Sequence, residues 1–552
     1  MKTTCLDILA TAALCLALPV SCCSRHTSGD SVPETVGNPY LPMWEHIPDG
    51  EPYVFDDPDN PGRQRVYIYG SHDILGTDYC GRDQVVWSAP VEDLSHWRYD
   101  GVIMVVDRNA DGEPIEPADV LYAPDVAVKA GPDGKKTYYL FPNDQAGGRS
   151  GLIARSERPD GPFKVCNWSV DDPARADGVL GFDPAVFVDD DGRVYGYWGF
   201  CSSSGAELDP ETMSTVKPGT KVVENMISGK DQPGVFSFYE ASSMRKIKDK
   251  YVFIYSRVTK DGEFGLPSSN YTLAYAYGDS PLGPWTYGGT IIDGRARETG
   301  EDGQVIASAT VDGNTHGSIC EIGGRWYVFY HRQTGIDEFA RQAMVAPVEV
   351  KVEEGPGGKV EISEGEYNSE GFSLDGLDPL ERHSAGIACW YTGPKPAAYR
   401  WPLKTFFGSY VAPGYGTEDK FEAPYALRNN TNPVVNNTSG SIVGFKYFNF
   451  TKTCGKAGIR IRLRLIPEGV DGTVVVMADR PWTSQGGSVL GSVELKHDMP
   501  RVSTELTADL PALSGMTGKH AIFFIFSSET AGESLCTLED FVFEPFGVTH
   551  KP

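Results

Sequence analysis

One short pattern occurs five times between residues 65 and 330: a basic residue, a run of aromatic and β-branched residues, then a turn. The copies are Arg65-Val-Tyr-Ile-Tyr69, Lys136-Thr-Tyr-Tyr-Leu-Phe141, Arg193-Val-Tyr-Gly-Tyr-Trp198, Lys250-Tyr-Val-Phe-Ile-Tyr255 and Arg325-Trp-Tyr-Val-Phe-Tyr330. Aromatic and β-branched side chains favour extended backbone, so each copy reads as a strand. Turn formers precede most copies, at Pro132-Asp-Gly134, Asp190-Asp-Gly192, Lys248-Asp249 and Gly323-Gly324. Third strands follow, ending in turns such as Arg158-Pro-Asp-Gly-Pro162 and Ser280-Pro-Leu-Gly-Pro284. A sheet of about four antiparallel strands repeated around a centre is a β-propeller, and five copies predict five blades over residues 38–350. A β-sandwich with Tyr-rich strands is the alternative; the fixed order of turn, strand and turn argues against it.

The strand before each copy carries a polar group in an otherwise small or apolar run. Glu51, Asp125, Asp183, Glu240 and His316 lie sixteen, thirteen, twelve, twelve and eleven positions before Tyr67, Tyr138, Tyr195, Val252 and Tyr327. The first offset is longer because of the turn Asp56-Asp-Pro-Asp-Asn-Pro-Gly62. The innermost strand of a propeller blade lines the central channel, so these five side chains are expected to converge on one axis. Four carboxylates and a histidine gathered there repel one another and resist desolvation, a cost that points to use.

Carboxylates crowded into a partly dry site cannot all ionise: one stays protonated as an acid while another serves as a base. Hydrolysis of a glycosidic bond requires that pair. Composition points the same way. With 75 Asp+Glu against 49 Lys+Arg the net charge is -26, which disfavours nucleic acid and anionic lipid surfaces. Neutral sugars, met by carboxylates and aromatic faces, suit an aromatic content of 11%. Calcium binding through oxygens and a histidine is the competing use of the same groups and is compatible with hydrolysis. No G-x-S-x-G, H-E-x-x-H or G-x-x-x-x-G-K-[ST] motif is present.

Six motifs in order, Asn38-Pro-Tyr-Leu-Pro, Gly50-Glu-Pro52, Tyr122-Ala-Pro-Asp125, Gly181-Phe-Asp-Pro184, Tyr239-Glu-Ala-Ser-Ser-Met-Arg245 and Gly313-Asn-Thr-His-Gly-Ser318, closely resemble glycoside hydrolase family 43 over residues 38–350. The resemblance implies a five-bladed propeller that inverts anomeric configuration and acts on arabinofuranosides, xylosides or galactosides. It implies Glu240 as general acid and Asp183 as the group that tunes and orients it. The base is expected in the first blade, where this chain has Glu51-Pro52 in place of the usual Asp-Pro. The extra methylene displaces the carboxyl by about 1 Å, a costly error in catalysis. Glu51 is the first choice for the base and Asp49 its rival. Asp125, His72, Asp73, Trp198, Tyr239 and His316 are expected to contact substrate, against readings as turn or packing residues. By the same resemblance His316 is the channel histidine that holds water or a structural Ca²⁺; no cofactor is otherwise required. The run Asp189-Asp-Asp-Gly192 lacks the remaining ligands of a calcium loop and reads as a hairpin turn. The expectation is an exo-acting enzyme, an α-L-arabinofuranosidase or a galactosidase or galactofuranosidase, working on oligo- or polysaccharide of plant type. A silent glycan-binding propeller is the alternative.

At the N-terminus the apolar run Ile8–Val20, too short to span a bilayer, ends in Ser21-Cys22-Cys23. Residues 1–22 are read as a lipoprotein-type signal and 23–37 as a tether. This places the protein in the periplasm, or on the outer membrane of a Gram-negative bacterium by a lipid anchor on Cys22, with Cys23 as rival acceptor. Ordinary secretion is the alternative. The seven later cysteines, widely spaced and without a C-x-x-C pair, suggest neither a disulfide framework nor a zinc site. Residues 351–384 read as a linker and 385–552 as a β-sandwich of jelly-roll type, either sugar-binding or a structural cap. In it, Ile459-Arg-Ile-Arg-Leu-Arg-Leu465 alternates strictly between the two faces of a strand.

Overall fold

The computed structural model describes residues 37–74, 78–310, 313–335, 338–394, 408–412, 432–456 and 458–546. The export signal expected in residues 1–22, and all of the tether but Gly37, lie outside the described residues.

The fold is all-β: a five-bladed propeller followed by a β-sandwich. The innermost strands are Glu51–Asp56, Leu121–Ala130, Ala185–Val188, Phe238–Ile247 and Ser318–Ile322, neighbours of one another around the axis. Each sequence repeat forms the strand next outward, Gln64–Tyr69, Lys136–Asp144, Val194–Trp198, Lys250–Arg257 and Arg325–Arg332. The repeats are rich in Tyr, Phe and Val because these strands are covered on both faces by adjoining blades. Val66, Tyr67, Ile68 and Tyr69 are all fully buried.

Among the described residues four blades have four strands and the fifth has three. At the outer edge of the fifth, a side chain substitutes for a strand. Asn38 Nδ2 donates to Val345 O at 2.8 Å, and Val345 N donates back to Asn38 Oδ1 at 3.0 Å. Near the axis a parallel bridge between Gly50 and Gly317 joins the first blade to the fifth.

The stretch expected as a linker carries a hairpin, Val350–Val352 with Val360–Ile362, pinned to the fourth blade by the Tyr275 hydroxyl. The sandwich has a six-stranded and a five-stranded sheet packed through Phe445, Phe448, Phe524, Phe541 and Phe543. In its strand Ile459–Pro467 the side chains of Ile459, Ile461, Leu463 and Leu465 face this core. On the other face Arg460 pairs with Asp509, Arg462 with Glu505 and Glu544, and Arg464 with Asp540.

One apolar core runs across both units, from Ile254, Tyr330 and Met344 through Ile387 and Tyr391 to Phe445 and Phe541. Polar contacts reinforce the junction. Arg332, fully buried, donates to the carbonyls of Ala388 and Gly386, and Gln342 and Asn432 both donate to Met43 O. The sandwich is fused to the propeller by shared core as well as by chain.

Candidate active site

A cavity of about 650 Å³ opens at one mouth of the channel, and Asp49, Asp183, Glu240 and His316 all line it. Unusual backbone aims three of these carboxyls. Asp49 and Asp183 have left-handed backbone, with φ of 60° and 47°, as does Ala241, next to Glu240, at 69°. Such conformations are unfavourable for residues with a Cβ, and they concentrate at functional sites. Pairing of the fourth blade's inner strand slips on both sides of Glu240, a bulge that turns the side chain toward the axis.

Glu240 takes no hydrogen bond from any described residue. Burial, then the charges of Asp183 and Asp49, push its carboxyl well above the ordinary range against the pull of His316 and Arg341. Burial and these acidic neighbours favour its protonated form. Asp183 is fixed from two directions: Asn143 Nδ2 donates to Oδ1 at 2.8 Å and Ala241 N donates to Oδ2 at 3.1 Å. His316 Nδ1 lies 3.5 Å from Asp183 Oδ2. Burial would lower this imidazole, but Asp183, Asp49 and Glu51 raise it to about 9, so it is a cation.

Asp49 has the opposite protonation. Burial alone would raise its carboxyl, yet the guanidinium of Arg341, the cationic His316 and the Ser71 hydroxyl hold it below the usual carboxylate range. Ser71 Oγ donates to Oδ2 at 2.6 Å and Arg341 Nη1 approaches Oδ1 at 3.2 Å. The Asp49 N–H donates to His331 Nδ1 at 3.2 Å, while His331 Nε2 donates to Asn314 O at 2.8 Å. Burial and Arg341 push His331 down to about 4, so it is the neutral ring this pattern needs.

Glu51 is displaced from the position expected of the base. It is fully buried and does not line the cavity; Arg245 Nη2 donates to Oε2 at 2.7 Å and Ser243 Oγ at 3.2 Å. Asp125 lies at this deeper level too, accepting from Tyr53 OH at 2.6 Å and from Val186 N at 2.7 Å, and burial and the charge of Glu51 raise it to about 7. Arg245 stacks on Tyr53 with its guanidinium 4.6 Å from the ring centre. The carboxylates of the channel therefore form two tiers: an upper one facing the cavity and a lower one closed on Arg245. Asp49 precedes the strand that Glu51 opens and sits on left-handed backbone, so the two carboxyls, though two residues apart, settle at different depths.

Three further expected contacts are also corrected. His72 is buried between Glu45 and Asp83, at 3.3 and 3.0 Å. Asp73 is buried under Arg341, accepting from Nε and Nη2 at 2.9 Å each, and so stands behind that guanidinium rather than in the cavity. Trp198 packs over Gly181, where an added Cβ would come within 2.8 Å of its ring. Tyr239 does line the cavity. Arg341, Ser71, Asn143 and His331 are not among the residues the sequence pointed to; Ser71 and His331 each lie four positions after the third residue of a repeat copy and Asn143 five, the signal that could have found them.

Among the described residues no group of three or more His, Cys, Asp or Glu could hold a metal ion. In the channel His316 Nε2 and Glu51 Oε1 lie 3.8 Å apart, each without a hydrogen-bond partner. One nitrogen and one carboxylate oxygen leave most of the six to eight ligand positions of Ca²⁺ to water. These residues do not form a calcium cage. The acidic run Asp189–Gly192 is a hairpin turn, with Lys246 bonded to Asp189 at 2.6 Å and to Asp190 at 2.8 Å.

A protonated carboxyl and an ionised one facing a common pocket at a propeller mouth define a glycosidase. Residues 64–356 match the profile of Glycosyl hydrolases family 43, and the chain belongs to that family. A "Xylosidase/arabinosidase" of Thermoclostridium stercorarium is 33% identical over 532 residues, covering 91% of this chain and 98% of its own. An arabinoxylan arabinofuranohydrolase from Bacillus subtilis, solved with cellotetraose, aligns with 92% of this chain and 97% of its own at 21% identity and a TM-score of 0.44. A β-xylosidase/α-arabinofuranosidase from a compost metagenome, solved with xylotriose in a calcium-free form, aligns with 59% of this chain and 97% of its own at 24% identity and a TM-score of 0.39.

Proposed function

We propose that this enzyme removes terminal pentose units, α-L-arabinofuranosyl in the first place, from plant polysaccharide side chains with inversion. The observation that carries the reading is the opposed protonation of Glu240 and Asp49 across one cavity. Glu240 gives its proton to the glycosidic oxygen as the bond to the anomeric carbon breaks. Asp49 takes a proton from a water that attacks the opposite face of that carbon, and the new C–O bond has inverted configuration. Asp183 keeps Glu240 protonated by repulsion, and Arg341 keeps Asp49 ionised. Both protons return through solvent, so the reaction as proposed needs no cofactor.

Exo action is supported by the lower tier: the Arg245, Glu51 and Tyr53 cluster stops the channel beneath the cavity, leaving room for a chain end. The choice of pentose is supported by the name of the Thermoclostridium relative. Export through residues 1–22, with a lipid on Cys22, is likewise proposed; metabolic labelling with a radioactive fatty acid, lost in Cys22→Ser, tests it.

The function is tested with aryl α-L-arabinofuranoside, β-D-xyloside, galactoside and galactofuranoside, using Glu240→Gln as control. Turnover of the arabinofuranoside with inverted product by NMR is expected. Retained configuration refutes the assigned roles, and preference for a galactoside refutes the sugar.

A further inference from the structure

The acid delivers its proton to the oxygen between the terminal sugar and the leaving group, so the leaving group lies on the Glu240 side of the cavity. That wall is aromatic. Phe200 packs between Phe182 and Tyr239, tilted 46° and 57° to their rings at ring-centre distances of 5.0 and 5.1 Å, and these neighbours directly precede Asp183 and Glu240. Phe200 is 49% exposed, among the few large apolar side chains left open to water. Asp49, Arg341 and Glu338 line the same cavity, with Tyr79 packed against the Arg341 guanidinium.

The turn that carries Phe200 is clamped at both flanks. Gly199 N donates to Phe182 O at 2.8 Å and Cys201 N to Tyr239 O at 2.6 Å. Gly199 has a φ of 147° and Cys201 one of 58°; a Cβ on Gly199 would sit 1.9 Å from Ser202 O. Across the turn, a Cβ on Gly229 would sit 2.1 Å from Cys201 O. An unclamped phenyl ring would fold inward to escape water. Here the backbone accepts unfavourable geometry and keeps the ring outward, as expected where an apolar surface awaits a ligand.

We propose that Phe200 is the platform on which the first sugar ring of the leaving group rests, its C–H face against the phenyl ring. The proposal rests on Glu240 being the acid. It makes Phe200 a specificity residue for what the terminal sugar is attached to, separate from the groups that hold the terminal sugar itself.

The test compares two substrates of the terminal sugar selected by the panel above: an oligosaccharide, whose leaving group is a sugar, and the glycosyl fluoride, which has no ring to stack. Phe200→Ala is expected to lower kcat/KM on the oligosaccharide about five- to tenfold, the size of one aromatic contact. On the fluoride it stays within about twofold of the parent, and Phe200→Tyr restores the oligosaccharide rate to within about twofold. Equal loss on both substrates would mean the ring only packs the pocket wall, and no loss on either would mean it touches nothing; each overturns the proposal. If Glu240→Gln keeps full rate with a sugar leaving group, the acid assignment itself falls, and the platform with it.

Discussion

Asp49→Asn and Glu51→Gln are isosteric changes two residues apart in the chain, and the two-tier channel separates their consequences. In Asp49→Asn the base loses its ionised form. General-base assistance is worth roughly 10²–10⁴-fold, so kcat on a sugar leaving group is expected to fall by that factor. The fold should tolerate the change, because Arg341 keeps both oxygens of Asp73 and gives up only the 3.2 Å contact to Asp49, worth about 1–2 kcal/mol. Glu51→Gln removes the carboxylate held by buried Arg245. Breaking a buried pair costs about 3–5 kcal/mol, and the lower end is expected because Asp125, freed from the repulsion of Glu51, ionises more readily in its place. The rate per folded molecule should stay within about threefold of the parent. Urea unfolding and initial rates, measured on the same preparations, give both quantities. If Glu51→Gln lost a hundredfold or more in rate at unchanged stability while Asp49→Asn kept its activity, the placement of the base in the upper tier would be wrong.

Glu240→Gln should lose most on sugar leaving groups and much less on a nitrophenolate, which departs without protonation; a plot of log kcat/KM against leaving-group pKa should steepen. The pH profile of kcat/KM should be bell-shaped. Activity falls at low pH as Asp49 gains its proton, below the usual carboxylate range, and at high pH as Glu240 loses its own, well above that range. Arg341→Gln, by removing the nearest positive charge, should move the acidic limb to higher pH and leave the basic limb nearly in place, as titrated activity curves will show. Truncation after Val348 should yield no soluble propeller, because Tyr330, Met344 and Ile254 would be stripped of the sandwich half of their core; solubility and circular dichroism of the truncated chain check this.

The blades were legible because each repeat copy carries its own strand composition and its own turn. The inward face was legible by counting, which brought Asp183, Glu240 and His316 to the channel. Depth along the axis was not. Asp49 and Glu51 are two carboxylates on either side of Gly50, nothing in the pattern says which of them faces the cavity, and only the partners decide: Ser71 and Arg341 for one, Arg245 for the other. His72, Asp73 and Trp198 misled for a related reason, since a polar or aromatic residue beside a sheet looks the same whether it meets ligand or core. Arg341 was invisible because its importance is a long-range contact with Asp49 and Asp73. The Asn38 clasp on the fifth blade was equally out of reach, as a side chain standing in for a strand leaves no strand-like sequence.

The left-handed backbone at Ala241 sets a conflict between robustness and speed. Glu240 has no hydrogen bond of its own from the described residues, so its direction depends on its neighbour's conformation. Ala241→Gly would relieve about 1 kcal/mol of strain, and a search for thermal tolerance would favour it. The same change would let the acid wander from the glycosidic oxygen. Selection for heat resistance and selection for turnover therefore pull residue 241 in opposite directions, and an alanine there marks which of the two prevailed.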